Sequence, residues 1–288
     1  MKEEDYPALY RAADEASVEA QSSFLYCVAA YAALSVIGAA LAVGGIESKT
    51  SAAWAAILFA GGLGVSVVMA IKKYENTWYR ARAVAESVKT ASWRFMMRAE
   101  PFASADENKP FTALLQRILK EHSDLAHALA GRIAEGDQIT KRMVDLRQSS
   151  LDDRMQAYHQ HRIGNQRSWY AKKSQTNKIV GERWFKAFVT LQGAAIICAI
   201  LRVASPEFKF WPIEVFVVAA TSVFGWMQVK RFRELAAAYA VTAHEIGLAS
   251  AELADVRTEG EFSSFVGDTE NAFSREHTQW VARRDVVS

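Results

Sequence analysis

The sequence predicts an all-α membrane protein in which four transmembrane helices form two repeated hairpins and extend into a cytoplasmic helical bundle. Two long uncharged apolar runs, residues 24–46 and 52–71, are the first observation behind this prediction. The second is composition, because 15 glycines and 5 prolines in 288 residues are too few for an all-β or a Rossmann fold. The third is the helical spacing of apolar side chains through most of the remaining chain.

Charge and cysteine content exclude several classes of protein. The chain has 34 basic and 32 acidic residues, and this balance excludes a polybasic nucleic-acid binder and an acidic disordered tail. Its two cysteines, Cys27 and Cys198, lie within apolar runs and cannot build a disulfide framework or a four-cysteine zinc site. The function therefore does not rest on cysteine chemistry.

Each of the first two apolar runs is long enough to cross a membrane, since about 20 helical residues span the roughly 30 Å of hydrocarbon. Two later segments, residues 184–203 and 210–229, are weaker candidates. The earlier one contains Lys186, whose ammonium group has to reach the interface, and the later one contains Glu214. A buried helical hairpin of a soluble protein is the alternative for each pair.

Basic residues cluster at one end of the predicted spans. They follow the second and fourth spans and precede the third, whereas each short hairpin connection carries a single Lys. The positive-inside rule therefore predicts a multi-pass inner-membrane protein with both termini cytoplasmic. Tryptophans near the span ends are typical of an aromatic belt: Trp54, Trp184, Trp211 and Trp226.

An internal repeat organises the chain. Residues 71–74 (IKKY) at the end of the second span resemble residues 229–232 (VKRF) at the end of the fourth, 158 positions later. The two copies have the same predicted topology, so the repeat is parallel. We predict a first unit over residues 1–102, cytoplasmic connecting helices over 103–150 and a second unit over 151–288.

The charged helix that follows each hairpin carries an apolar stripe with steps of three and four residues. Small side chains in the stripes would let another helix approach closely, so the stripes are candidates for assembly between subunits in a coiled-coil-like seam. Packing within the bundle of one subunit is the alternative interpretation. The assembly candidates are Trp78, Ala81, Ala85, Val88, Tyr239, Thr242 and Ile246.

The segment between the two hairpins predicts further helices. One apolar face over residues 111–133 predicts a single helix, with Pro110 in its first turn. Ser150 and Asp153 resemble a capping box at the start of the next helix. The helical pattern then continues into the third span, with a break at Gly164.

No pattern in the sequence predicts an enzyme, a metal site or a cofactor site. The six histidines lack ligand spacing, and no nucleophile–base constellation stands out. The glycines of residues 61–64 lie inside a span, where they favour close helix packing over phosphate binding.

Polar side chains inside the third and fourth spans are the main functional signal. Such groups are costly in lipid and tend to face other helices or water. One interpretation is a hydrogen bond to a neighbouring helix, and the other is a pore lined by these spans from several subunits, with Glu214 at its mouth. The pore-lining candidates are Gln192, Thr190, Glu214, Thr221 and Ser222.

Three groups of motifs carry a family resemblance. The first lies in residues 74–102, the second begins at Arg162, and the third covers residues 274–284. The first two consist of Trp78-Tyr79-Arg80-Ala81-Arg82, Ala85-Glu86-Ser87, Lys89-Thr90, Trp93-Arg94-Phe95 and Pro101-Phe102, followed by Arg162-Ile163, Gln166, Trp169-Tyr170 and Lys173. Together they resemble tandem SLATT-domain proteins, bacterial SMODS- and SLOG-associating two-transmembrane effectors.

The resemblance implies a membrane effector of antiviral, abortive-infection defence that forms a homo-oligomeric pore or channel. A separate cyclic-nucleotide synthase or sensor, encoded nearby, would supply the signal, and no catalytic residue is implied. The expected partners are the lipid bilayer and further copies of the chain, with no nucleic acid. The alternative is a non-conducting membrane scaffold whose cytoplasmic bundle binds a signalling partner.

Overall fold

The computed structural model describes residues 1–44, 48–104, 108–130, 132 and 136–285, with side chains as far as residue 273. These residues are mostly helical and contain no strand, so the prediction of an all-α fold is confirmed. In chain order their α-helices are α1 (Ala8–Gly44), α2 (Lys49–Lys72), α3 (Tyr74–Met96), α4 (Asn108–Glu121), α5 (Ala126–Leu129), α6 (Lys141–Gln148), α7 (Leu151–Tyr158), α8 (Asn165–Ala204), α9 (Ile213–Lys230), α10 (Phe232–Glu252) and α11 (Glu259–Asp285).

Four segments of the described chain are long and apolar enough to cross a membrane. They involve α1, α2, α8 and α9, and the most apolar 18-residue stretch of each has a mean hydropathy of 2.0, 2.1, 1.9 and 1.3. The prediction of four such helices is therefore confirmed. Helix α9 begins at Ile213 and not at residue 210 as the sequence predicts, because Pro212 precedes it and the residue before a proline avoids the helical conformation.

The chain divides into two compact units that alternate along the sequence. The span unit comprises Ser22–Lys73 and Tyr170–Val241, and it contains the apolar segments. The bundle unit comprises Met1–Gln21, Tyr74–Trp169 and the chain from Thr242 onwards. The predicted division into three consecutive domains stays a prediction.

Both hairpins end in the same backbone geometry. Lys73, between α2 and α3, has φ 47°, and Arg231, between α9 and α10, has φ 46°, which are left-handed values. Their N–H groups donate to the carbonyls of Met69 and Met227. Both pairs of residues are 158 positions apart, as the sequence repeat predicts.

A serine hydroxyl links the first and last helices of each repeat. Ser17 Oγ donates to the carbonyl of Trp78 at 3.3 Å, and Ser174 Oγ donates to the carbonyl of Ala236 at 2.7 Å. The two carbonyls are again 158 positions apart. The two halves of the sequence therefore repeat this contact as well as the kink, which is the left-handed residue (Lys73 or Arg231) between two helices.

Glycines allow close helix approach at two points of the span unit. A Cβ on Gly38 would lie 2.8 Å from the ring of Phe59, and a Cβ on Gly181 would lie 2.9 Å from Cβ of Phe232. Gly64 differs, since a Cβ there would meet no described atom within 4 Å. Close packing therefore explains some of the span glycines but not Gly64.

The middle of the chain is more broken than the sequence predicts. Helix α4 ends at Glu121, and a 3₁₀ turn (Ser123–Leu125) separates it from α5, so the prediction of one helix over residues 111–133 is wrong. Ser and Asp side chains in this turn compete for backbone hydrogen bonds, which weakens a helix. Asp124 also forms an ion pair with Arg80 at 2.5 Å, a contact that local periodicity does not reveal.

The helix that starts at Leu151 leads into α8 without a separate turn. Ser150 caps it, because Ser150 Oγ accepts a hydrogen bond from the Asp153 N–H at 3.2 Å, so the predicted helix start is confirmed. Over His159–Gly164 the backbone is π-helical, and this bulge stands where the sequence predicts a break.

Candidate functional site

The pore-lining candidates lie on α8 and α9 with different exposures. Thr190 and Glu214 are exposed in the single chain, whereas Gln192 and Ser222 are half-buried. Thr221 is exposed too, but its Oγ1 donates at 2.9 Å to the carbonyl four residues earlier in the same helix. This bond satisfies the hydroxyl within α9, so Thr221 needs neither a neighbouring helix nor water.

Glu214 and Gln192 stand out among these candidates. Within the part of the chain that the structure describes, neither side chain forms a hydrogen bond or an ion pair. Glu214 lies in the first turn of α9, where its negative charge interacts favourably with the helix dipole. Gln192 brings two N–H donors and a carbonyl acceptor into an apolar segment. Both groups are therefore available to a neighbouring subunit or to water.

The assembly candidates on α3 are packed inside the bundle unit. Ala81, Ala85 and Val88 are 0% exposed, and α3 contacts α4, α6 and α11. Trp78 is half-buried and stacks on Tyr79, with ring centroids 4.5 Å apart. These contacts lie within one subunit, in agreement with the alternative interpretation of the stripe. A contact of α3 with another copy stays a prediction.

The assembly candidates on α10 also have neighbours in their own chain. Thr242 and Ile246 are buried, and Tyr239 packs against Tyr170 with ring centroids 5.4 Å apart. Contacts between copies through these residues likewise stay a prediction.

A buried ion pair forms a polar centre in the bundle unit. Arg162 donates from Nε to Oε1 of Glu270 at 2.8 Å and from Nη2 to Oε2 at 2.7 Å. The hydroxyl of Tyr158 donates to the same Oε1 at 3.0 Å. The side chains of Arg162 and Glu270 are only 1% and 0% exposed. The bidentate geometry and the tyrosine together offset part of the cost of removing both charges from water.

Helical spacing puts two arginines of this cluster and the tyrosine between them on one face of the helix. Arg154, Tyr158 and Arg162 follow each other at intervals of four residues on α7 and the π-helical turn. Arg154 is also buried, and its Nη1 donates to the carbonyl of Met97 at 2.9 Å. Its Nη2 forms an ion pair with Glu259 in the first turn of α11. Two ion pairs therefore hold this stretch of helix against α11.

Two further arginines fix the C-terminal end of α3. Arg147 donates to the carbonyls of Phe95 and Phe102, and also to that of Ser104. Its guanidinium group lies over the Phe95 ring, 4.7 Å from the centroid. Arg94 donates to a backbone carbonyl and a side-chain oxygen of α11, at 3.1 and 2.7 Å. Arg147 therefore ties the end of α3 to the loop that follows it, and Arg94 ties α3 to α11.

An aromatic cluster adjoins the buried ion pair. The ring of Trp93 lies 5.6 Å from that of Tyr158, and Trp93 Nε1 donates to the hydroxyl of Tyr6 at 3.0 Å. Burial raises the pKa of Tyr6 from 10.0 to about 12, because the neutral phenol is favoured away from water. The cluster therefore extends the solvent-excluded core as far as the N-terminal segment.

The sequence analysis misses this ionic cluster. Two signals mark it: arginines flank Tyr158 at intervals of four residues, and Glu270 interrupts an apolar stripe of α11 that contains Phe262. Charged side chains are almost never buried without partners, so such a pattern predicts an ion pair. It does not identify the partner, since Arg162 and Glu270 are 108 positions apart.

The cluster is suited to holding helices together. Arginine keeps its proton in proteins, so Arg162 stays a cation beside Glu270. Within the described residues, no three His, Cys, Asp or Glu side chains come together in a way that could hold a metal ion.

Two family matches cover nearly the whole chain in tandem. Residues 7–155 match SLATT_3, described as SMODS and SLOG-associating 2TM effector domain 3. The chain belongs to the SLATT family. Residues 158–280 match SLATT_1, described as SMODS and SLOG-associating 2TM effector domain 1. No curated protein and no solved structure matches the chain.

These matches confirm the family resemblance and assign the pore-lining candidates and the buried ion pair to the second SLATT domain. SLATT effector domains are associated with membrane-linked antiviral defence. Two apolar helices fall within each match, so this is a membrane protein with two SLATT domains in tandem. Gln192, Glu214 and the Arg162–Glu270 pair all lie in the second domain. The motif that starts at Ser274 lies beyond the side chains that the structure describes.

Proposed function

We propose that this SLATT protein is a membrane effector that assembles into a homo-oligomeric pore or channel in bacterial antiviral, abortive-infection defence. A separate sensor or second messenger triggers it, such as the product of a cyclic-nucleotide synthase encoded nearby. It acts in the bacterial inner membrane with both termini in the cytoplasm, an orientation that the basic flanks of the spans support.

The observation that carries this proposal is polar side chains on the surface of otherwise apolar helices. Glu214 is exposed and Gln192 is half-exposed in the single chain. Leaving such groups in lipid is costly, and a neighbouring subunit or a column of water removes that cost. The described part of a single chain offers four such apolar helices, too few to enclose a wide aqueous path, so the pore requires several copies.

The second candidate function is a non-conducting scaffold whose bundle unit binds a signalling partner. The burial of Ala81, Ala85 and Val88 within one subunit favours this alternative, because it occupies one of the predicted assembly surfaces. In a scaffold, Gln192 would form hydrogen bonds only with neighbouring helices and would contact no water column.

Membrane potential in living cells separates the two functions. A voltage-sensitive dye should report depolarisation when the wild-type chain is overproduced, because an ungated pore leaks ions. Gln192→Leu should reduce this leak and leave the oligomer intact, since the change keeps the helix apolar and removes only the amide. Gln175→Leu makes the same change on an exposed, polar part of α8 and serves as the matched control.

The outcomes are distinct when each variant is produced at the same level and its assembly is checked by native mass measurement. Cells that stay polarised while they contain assembled wild-type protein would favour the scaffold. A leak reduced equally by Gln192→Leu and Gln175→Leu would remove Gln192 from the conduction pathway.

A further inference from the structure

A cavity of about 230 Å³ lies in the span unit between α8, α9 and the start of α10. One wall is apolar and includes Phe188 and Phe224, whose ring centroids are 5.8 Å apart. Polar side chains also line the cavity, those of Arg231, Arg233 and Glu234. The lining is therefore amphipathic, since it combines aromatic rings with guanidinium groups.

The cavity lies at the end of the membrane-spanning part of the second hairpin. Phe188 and Phe224 belong to the apolar segments, whereas the arginines follow the last apolar residue of α9. Trp184 and Trp226 pack near this level with ring centroids 6.3 Å apart, and tryptophan is typical of the membrane–water interface. The cavity therefore spans the boundary between hydrocarbon and headgroups.

Positive charge around the cavity exceeds the negative charge. Arg231 lies 3.7 Å from Glu234, and among the described residues no carboxylate lies within 4 Å of Arg233. The Arg233 guanidinium instead rests on the Phe185 ring, 4.9 Å from its centroid. Lys230 adds a further cation over Trp226. An anion bound here would offset the repulsion between these groups.

Backbone geometry fixes the shape of the cavity. The left-handed conformation of Arg231 turns α10 away from α9, and Gly181 lets Phe232 approach α8 closely. Arg231, Gly181 and Phe232 all line the cavity. The site is thus defined by a kink and a close helix contact, and not only by flexible side chains.

The first hairpin has the same kink without the same lining. The positions 158 residues before Phe224 and Arg233 hold Ser66 and Glu75. The first hairpin therefore has no aromatic ring at the position of Phe224, and it has a negative charge at the position of Arg233. The amphipathic lining is therefore specific to the second SLATT domain.

We propose that this cavity binds an anionic phospholipid, with Arg231 and Arg233 contacting the headgroup phosphate and the phenylalanine wall contacting the start of an acyl chain. Arginine suits phosphate because its planar fork of donors matches the phosphate oxygens. The volume lies below the roughly 300–1,000 Å³ of pockets that enclose whole small ligands, so most of the lipid stays in the bilayer. Lipid binding at this cavity does not require that the protein forms a pore.

Native mass spectrometry of the full-length protein in detergent tests the site. The wild type should retain phosphatidylglycerol about tenfold more strongly than phosphatidylcholine, and Arg233→Glu should abolish most of that preference. Arg233 is exposed, so this change removes its contact with the Phe185 ring and leaves the buried packing intact. Arg231→Gly should act in the same direction, because glycine keeps the left-handed backbone and removes the cationic side chain.

Lys73→Gly is the matched control, since it removes a cation from the equivalent kink of the first hairpin. Retention of phosphatidylglycerol that is unchanged in Lys73→Gly and lost in Arg233→Glu would support the site. Equal retention of the two lipids by the wild type, or an equal loss in Lys73→Gly, would overturn it. Displacement of the lipid by inorganic phosphate alone would also overturn it and indicate a site for free phosphate.

Discussion

At the scale of single residues, loss of the Arg162–Glu270 pair should strongly lower the free energy of unfolding. Both groups are excluded from water, so neither charge has solvent to replace its partner. The Arg154–Glu259 pair differs, because the Glu259 side chain is 53% exposed and water can solvate it. The two pairs therefore offer a matched comparison of buried and half-exposed ion pairs on the same helices.

We expect Glu270→Gln to lower the free energy of unfolding by about 3–5 kcal/mol, because it leaves a buried guanidinium without a counter-charge. Glu259→Gln should cost less, about 1–3 kcal/mol, because the buried Arg154 also loses its counter-charge but keeps the carbonyl of Met97, and water reaches the half-exposed position 259. Denaturant unfolding in detergent, followed by tryptophan fluorescence, measures both values. Equal costs for the two substitutions would contradict this account of the cluster.

The raised pKa of Tyr6 predicts that the folded state loses stability at alkaline pH. Its pKa is about 12 when folded and 10.0 when exposed, so the folded state favours the neutral phenol. The resulting stabilisation is complete below pH 10 and is lost as the pH rises towards 12, a total of about 2–3 kcal/mol.

At neutral pH, Tyr6→Phe should cost about 1 kcal/mol, because the Trp93 indole N–H loses its acceptor. The difference between wild type and variant should shrink above pH 10 and then reverse. A constant difference across that range would show that Tyr6 titrates normally.

At the scale of helices, the two kinks are the most regular feature of the repeat. Non-glycine residues pay roughly 1 kcal/mol or more for a left-handed backbone. Lys73→Gly should therefore raise the free energy of unfolding by about 1 kcal/mol, whereas Lys73→Val should lower it, since valine tolerates this conformation poorly. Lys72→Gly is the control: Lys72 is helical, and glycine there should cost about 1 kcal/mol. Equal destabilisation by Lys73→Gly and Lys72→Gly would contradict the left-handed conformation of Lys73.

The sequence predicts the apolar helices and the kinks better than the segments between them. Uncharged runs and the matching residues 71–74 and 229–232 are local signals, and the structure follows them. The turn after Glu121 contains Asp124, which pairs with the distant Arg80, and spacing along the chain does not reveal such a contact. The π-helical turn at His159–Gly164 has a side-chain spacing close to that of an α-helix, so periodicity does not distinguish them.

The candidate site shows the same division between local and long-range signals. Glu214 and Gln192 are visible in the sequence because polar residues stand out in an apolar run. The Arg162–Glu270 pair joins residues 108 positions apart, and the lipid cavity depends on how α8 meets α10. Neither follows from spacing along the chain.

At the scale of the whole molecule, the proposed topology is open to direct labelling. In a chain whose native cysteines are replaced by alanine, a membrane-impermeant maleimide should label Ser48→Cys and Glu207→Cys in spheroplasts. These residues lie in the hairpin connections. Ser150→Cys should react only after the membrane is opened, because the positive-inside rule places it in the cytoplasm. External labelling at position 150 would rule out the four-span orientation.

The reversal potential of single channels under a salt gradient tests the pore most directly. In planar bilayers the wild type should conduct, and Glu214→Lys should shift the reversal potential away from cation selectivity, because the charge at a pore mouth sets the local ion concentration. Glu252→Lys, the same change on the exposed end of α10, should leave the reversal potential unchanged. An unchanged reversal potential in a normally assembled Glu214→Lys protein would contradict a pathway past Glu214 and favour the scaffold.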